Sequence, residues 1–290
     1  MHAQHRNFTD ILMGNATQFI IPVFQREYRW RDENCEQLWK DIVRVGSDPS
    51  LPEHFVGSVV YIGAADNAAG FTRWLLIDGQ QRVTTLTLLL TALRDHIREN
   101  GWEGGENGPT WEMIDHYFLR NHHLKGDRLL KLHLRLHDDA TLTSLVTGGA
   151  RPDSPSVTVI ENYDLFRKLL HEEDPQVIFN GINRLMLVDV RLDRGRDDPQ
   201  LIFESLNSTG VDLSTSDLIR NFILMSLKEE DQTRLHTEYW SKIDNLFRGN
   251  DRVFANFIRD YLALRTKPAK LPRADRVYGA FRTEFMGVGT

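Results

Sequence analysis

Two hydrophobic periods alternate along the chain. A period near two, in short runs bounded by turn residues, recurs at 55–62, 71–77 and 186–192, and predicts strands. Residues 18–31 (QFIIPVFQREYRWR) read as a strand and loop, with Pro22 suited to an edge or a strand start. Residues 130–137 alternate leucines with cations and histidines, which predicts a half-buried strand with a basic outer face. The helical period appears between these runs. Asp32 is placed to cap a helix whose Cys35, Leu38, Trp39 and Ile42 share one face. The turn at Asp78 opens another, with Val83, Leu86, Leu90, Leu93 and Ile97 on one side. A third is expected around Tyr163 to His171. From Asp198 onward the chain reads helical. Asp198-Pro199 starts one helix that stops near Asn207-Ser-Thr-Gly210, and a box at Ser214-Thr-Ser-Asp217 opens the next, carrying Leu218, Phe222 and Met225. Two more are expected, on Leu235, Tyr239, Ile243 and Leu246, then on Val253, Phe257, Tyr261 and Leu264.

These elements predict an α+β protein. Residues 1–100 are expected to form a mixed α/β core, with the Gly- and Asn-rich stretch 100–110 as a boundary. Residues 101–264 follow as a mostly helical region with a few strands. Residues 265–290 read as a basic linker, containing Pro268 and Pro272, and the start of a further C-terminal part. No apolar run is long enough to span a membrane, and the N-terminus lacks the basic-then-apolar order of a signal peptide. Cys35 is the single cysteine, which excludes a disulfide or a thiolate metal cluster within the chain. A cytoplasmic protein is the expectation.

The net charge of −6 argues against a general polyanion binder. Cations are nevertheless concentrated in two places. One is Arg26-Glu-Tyr-Arg29-Trp-Arg31; the other is 125–137, where Lys125, Arg128, Lys131 and Arg135 face only Asp127.

Three stretches carry candidate chemistry. At Asp78-Gly79 an apolar strand turns at once into a helix, so unpaired N–H groups and the positive end of a helix dipole meet Arg82. Gln80, Gln81, Arg82, Thr84 and Thr85 are polar, and Val83 alone serves the core there. Two readings stay open. In one, Asp78 is the N-cap, Gln81 completes a capping box and Arg82 pairs with an acid. In the other, these groups cradle phosphate and Asp78 orients Mg²⁺ or water. The second stretch, 21–30, interleaves Phe24, Tyr28 and Trp30 with Arg26 and Arg29, which suits stacking on bases with guanidiniums on phosphate, or else a core edge with a solvated face. The third runs from Phe203 to Asn221. Caps account for Gly210, Ser214 and Asp217 and leave Glu204, Asn207, Arg220 and Asn221 free to face a ligand.

Taken in order, IPVFQREYRW, HFVGSVVYI, LLIDGQQRVTTLTLLLTAL and FESLNSTGVDLSTSDLIRNFIL resemble the N-terminal domain of GmrSD-type restriction proteins. That domain also occurs in phosphorothioate-sensing SspE defence proteins. The resemblance spans residues 18–93 and 200–225. It implies a ParB/sulfiredoxin-like α/β core that binds and hydrolyses a nucleoside triphosphate (GTP or ATP) with Mg²⁺, a helical remainder, and a C-terminal HNH nuclease domain. It further implies anti-phage defence directed at chemically modified DNA, carrying either phosphorothioate or a modified base. The Gly-x-x-Arg core of the motif, Gly79 to Arg82, resembles the phosphate-binding box of ParB-like proteins. No HNH signature surrounds His122-His123 or His133 and His137, so that nuclease activity is expected outside this stretch.

The expectations are therefore these. Asp78, Gln81 and Arg82 act in NTP hydrolysis, with Asp78 also on the metal. Gly79, Gln80, Thr84, Thr85 and Asn207 bind the nucleotide. Gln25, Arg26, Tyr28, Arg29 and Trp30 touch DNA. Partners are DNA, a nucleoside triphosphate, the HNH domain and a second copy of the chain, with no membrane. Two alternatives stand beside this reading: a recognition module that grips DNA phosphate without hydrolysis, and a ParB-like nickase.

Overall fold

The computed structural model describes residues 1–14, 16–67, 69–104, 108–207, 213–247, 250–266 and 272–286, with Leu206 and Asn207 by backbone alone. Two compact units divide them. The first comprises Met1–Pro22 and Glu27–Asp197; the second comprises Val23–Arg26 and Asp198–Thr290.

The first unit is built on one mixed sheet. Its strands are β1 (His2–Asn7), β2 (Thr17–Ile20), β3 (His54–Gly63), β4 (Thr72–Asp78), β5 (Leu132–His133) and β6 (Leu185–Leu192), in the order β1-β6-β3-β4-β2-β5. β6 runs parallel to β3 and antiparallel to β1, while β4 runs antiparallel to β3 and parallel to β2. The sheet thus draws β5 and β6 from beyond residue 110, so the α/β core continues through the stretch expected to end it at 100.

Six principal helices belong to this unit: α1 (Phe8–Leu12), α2 (Asp32–Ser47), α3 (Gln80–Asn100), α5 (Leu136–Thr147), α6 (Val157–Leu169) and α7 (Pro175–Asn183), with the short α4 (Trp111–Ile114) running into a π-helical turn at Asp115–Leu119. α2 buries Cys35, Leu38, Trp39 and Ile42, as its period requires, although Asp32 is its first residue and Arg31 its cap. α3 does more than the one-sided pattern predicts. From Gln80 to Ile97 every residue except Arg82 is buried. Its threonines make this tolerable, because Thr84, Thr85, Thr87 and Thr91 each donate a hydroxyl hydrogen bond to the carbonyl four residues back.

The strand expected over 130–137 shrinks to two residues, and the rest turns inward. Lys131 is buried with Nζ donating to the carbonyls of Leu12 and Gly14, both at 2.8 Å, and burial lowers its pKa to about 8. Arg135 is buried too, and His133 bridges Asp139 and the Asp127 carbonyl. Lys131 and Arg135 do not form a basic outer face: both are buried, and Lys131 spends its donors on backbone carbonyls.

The second unit is helical: α8 (Pro199–Asn207), α9 (Thr215–Leu224), α10 (Glu229–Leu235), α11 (Ser241–Phe247), α12 (Asp251–Thr266) and α13 (Val277–Phe285). Its core joins Ile219, Trp240, Phe254, Ile258, Leu262, Val277 and Phe281. On α12 the buried stripe is one residue out of phase with expectation, since Val253, Phe257, Tyr261 and Leu264 are exposed. α13 lies within 265–290, the stretch that read as a basic linker and the start of a further C-terminal part. No helix among the described residues is long and apolar enough to cross a membrane.

Candidate functional site

The start of α3 is where the sequence concentrates its candidate chemistry. β4 ends at Asp78, Gly79 makes the turn, and α3 begins at Gln80. Gly79 sits at φ 90°, ψ 4°, and a Cβ there would lie 2.8 Å from the Ser58 carbonyl oxygen. Backbone conformation and close strand packing both demand glycine. Asp78 belongs to the strand, and no side chain caps the helix, so the capping box expected of Asp78 and Gln81 does not form. The first turn also contains no acidic residue. A 21-residue helix therefore starts with no side-chain cap on its N–H groups and no first-turn acid at its positive dipole end.

β3 is irregular beside this turn. Its pairing with β6 shifts register between Phe55 and Ser58, and Gly57 there has φ +104°. The bulge presents the Ser58 carbonyl to Arg82, whose Nη1 donates to it at 2.6 Å. The guanidinium lies against Gly57, where a Cβ would come within 2.6 Å of Nη1. Ser58 Oγ donates weakly to Asp78 Oδ2 at 3.4 Å. Among the described residues, no carboxylate reaches Arg82 and no cation reaches Asp78 at ion-pair distance. Ser58 was not singled out from the sequence, yet a Gly-Ser pair interrupting Phe55–Ile62 is the signal of a bulge.

The other polar residues of the corner are engaged elsewhere. Thr84 and Thr85 are buried with their hydroxyls bonded back along α3, and Gln80 is buried with a partner of its own. They do not present hydroxyls or amides to solvent, which corrects the expected cradle of five side chains. Gln81 uses both ends of its amide on one loop: Oε1 accepts from the Arg29 N–H at 2.8 Å and Nε2 donates to the Glu27 carbonyl at 3.0 Å. It anchors the loop through one amide donor and one carbonyl lone pair.

That loop carries part of the expected DNA-contacting set. Tyr28 is buried: its N–H donates to Asp138 at 2.9 Å, and its hydroxyl meets Thr85 Oγ1 at 2.7 Å and accepts from Asn162 Nδ2 at 2.9 Å. Burial pushes the phenol pKa far above its usual value, so it stays a neutral hydrogen-bonding group. No face of Tyr28 is available for stacking on a base. Arg29 is exposed, Trp30 is half-buried, and both line a groove of about 450 Å³ with Arg31, Asp32, Glu33 and Glu161. Gln25 is buried and Arg26 half-buried in the second unit, and neither is without a partner.

In the second unit, the residues that caps left unexplained have structural partners. Arg220 is buried and pairs with Asp217 at 2.5 Å, while its Nε donates to the Phe24 carbonyl at 2.8 Å. Asn221 Nδ2 donates to the Asp217 carbonyl, and Glu204 accepts from Gln200, Tyr278 and Arg282. The Asn207 side chain lies outside the described residues.

Compared with known proteins, residues 8–224 match the family model described as GmrSD restriction endonuclease, N-terminal domain. No curated protein matches the chain.

Proposed function

The chain belongs to the family of GmrSD restriction endonuclease N-terminal domains, and we propose that its Asp78–Arg82 corner binds and hydrolyses a nucleoside triphosphate while the Glu27–Arg31 loop contacts chemically modified DNA. Membership makes it a restriction-defence protein, from a family of restriction enzymes that act on DNA and work with a C-terminal nuclease domain.

The observation that carries the phosphate reading is Arg82. It is the one residue of 80–97 that is not buried, it meets a carbonyl rather than an acid, and it stands at an uncapped helix start. Backbone N–H groups at the first turn and the guanidinium together suit a phosphate whose charge grows toward the transition state. Asp78 fits a hard divalent cation, because among the described residues its carboxylate meets the Ser58 hydroxyl and no cation, and one carboxylate with phosphate oxygens and water is the usual Mg²⁺ environment. Bound Mg²⁺ supplies charge neutralisation on the phosphate oxygens. Gly79 lets backbone approach the phosphate. Gln81 acts as a positioning residue, tying the first turn of α3 to the loop that bears Arg29 and Trp30. Direct DNA contact then falls to Arg29 and Trp30 rather than to Tyr28.

Phosphate release from GTP and from ATP, with plain or phosphorothioate DNA, tests the reading. Arg82→Ala is expected to lower turnover by about 100-fold with an unchanged melting transition. Unchanged turnover in the folded variant overturns the assignment. If the wild type releases no phosphate yet loses DNA binding on Arg82→Ala, the corner grips DNA phosphate without hydrolysis. Relaxation of a supercoiled plasmid by the chain with metal would instead identify a nickase. Arg29→Ala is expected to weaken DNA binding about tenfold, as loss of one charged hydrogen bond does.

A further inference from the structure

We infer that the chain carries a second, separate site, for a divalent transition-metal ion, formed by Asp115, His116 and His122 at the π-helical turn that follows α4. One ligand atom from each of the three residues lies within 4.8 Å of the other two. Asp115 Oδ2 and His122 Nε2 are 3.0 Å apart. Two donors at about 2.0–2.1 Å from a tetrahedral zinc ion are roughly 3.3 Å apart, so this pair already has nearly the required spacing. The His116 and His122 rings have centroids only 3.4 Å apart. Rings that pack on each other prefer about 4.5–7 Å. The two imidazoles converge more closely than ring packing favours, and ligation of one ion by both rings would move them apart.

The backbone and the surroundings agree with this. Residues 115–119 form a π-helical turn, closed by the Arg120 N–H donating to the Asp115 carbonyl at 2.9 Å. Such turns are rare and hold an extra residue that redirects side chains. Here the turn sets a fully buried Asp115 beside an exposed His116. The Asp115 carboxylate is fixed by Arg94 Nη1 on Oδ1 at 2.9 Å and by Arg120 Nε on Oδ2 at 2.7 Å. Arg120 Nη2 donates to Oδ2 as well, so three of about four acceptor positions are taken by arginines, and an ion would replace the hydrogen bond that His122 Nε2 makes with Oδ2. Partners of this kind, which orient a ligand without touching the metal, are a regular part of metal sites. Arg94 also pairs with Asp95 and donates to the Val146 carbonyl, so its charge is shared among several acceptors.

Two imidazoles and one carboxylate favour zinc-like ions over Mg²⁺ or Ca²⁺. Three protein ligands leave a fourth position, which opens here on a cleft of about 350 Å³ lined by His116, Arg120, His122, His123 and Lys131. This is the arrangement of an accessible site, able to bind water or a small ligand, rather than a closed structural one.

Metal-depleted protein titrated with Co²⁺, with Zn²⁺ as competitor, tests the inference. The expected result is one equivalent per chain, with the intense visible bands of four-coordinate cobalt. His116→Ala and His122→Ala are each expected to raise the dissociation constant by at least about 100-fold, with Asp115→Asn avoided because it would unpair Arg94 and Arg120 in the interior. Both histidines are exposed, and a melting curve on each variant checks its fold. Absence of binding by the wild type overturns the proposal. So does one equivalent retained in the double variant His116→Ala/His122→Ala, which would place the ion elsewhere.

Discussion

Two helix starts look alike in sequence and differ in what they leave unmet. α9 opens at Ser214, whose hydroxyl accepts the Asp217 N–H at 3.1 Å, and Asp217 in turn holds Arg220 at 2.5 Å. Arg220 has its Nε on the Phe24 carbonyl, so cap, acid and arginine close on one another. α3 opens at a glycine, with no side-chain cap, no first-turn acid and an arginine whose hydrogen bond goes to the Ser58 carbonyl, with no acid at ion-pair distance among the described residues. Both corners carry the same ingredients of turn residue, acid and arginine. Where the acid sits inside the first turn, it neutralises the arginine and the corner is structural. Where the acid ends the preceding strand, the first turn has neither cap nor acid and the guanidinium meets a carbonyl instead, the arrangement on which the phosphate proposal rests.

The largest effect expected from breaking this contrast is at Arg220. Arg220→Ala removes a buried guanidinium that bonds both Asp217 and the Phe24 carbonyl, and should destabilise the second unit by about 3–5 kcal/mol, read by chemical denaturation. A loss below about 1 kcal/mol would show that the pair does not hold the corner. Arg82→Ala should do the reverse. Its guanidinium is half-exposed with a single carbonyl contact, so stability should change by about 1 kcal/mol or less. The 100-fold loss of turnover expected of this variant would then arise with the fold intact. Equal stability losses in the two variants would erase the distinction between the corners.

The backbone of this contrast was legible in the sequence, and the fate of the side chains was not. Phe55–Ile62 and Phe71–Ile77 announce β3 and β4, and the glycine after Asp78 announces a turn into α3. What the sequence hides is partnership across distance. Tyr28 finds Asn162 and Asp138 more than a hundred residues away, and Gln81 finds Glu27 and Arg29 more than fifty away. Lys131 and Arg135 alternate correctly with leucines, but carbonyls from the Leu12–Gly14 turn draw the lysine inward. α12 carries two adjacent apolar stripes, and periodicity alone cannot choose Phe254, Ile258 and Leu262 over Val253, Phe257 and Tyr261. Neither could spacing alone show that Asp115, His116 and His122 converge, because the π-helical turn that gathers them has no sequence period.

Gly79→Ala sharpens the comparison from the backbone side. The left-handed conformation costs about 1–3 kcal/mol for a residue with a side chain, before the approach of Cβ to the Ser58 carbonyl is added. Stability and turnover should fall together, since β3 must shift and Ser58 moves with it. Calorimetry and phosphate release on the same preparation measure both. A variant with lowered turnover and unaltered melting would mean that the glycine serves phosphate approach alone, and that the strand contact is easily relieved.

The smallest effect is expected at Ser214, and it is the most direct test of why the two corners differ. Removing the hydroxyl from an N-cap costs about 1 kcal/mol. Ser214→Ala should therefore lower stability by that amount while Asp217 and Arg220 keep their pair, because the ion pair does not depend on the Ser214 oxygen. Asp217 would then lie in the first turn of an uncapped helix, the one feature α3 lacks. If Ser214→Ala creates no affinity for inorganic phosphate, an uncapped helix start is insufficient and the absence of a first-turn acid at α3 is the deciding difference. Phosphate binding gained at α9 would instead mean that capping alone separates a structural corner from a site, and would weaken the case made for Arg82.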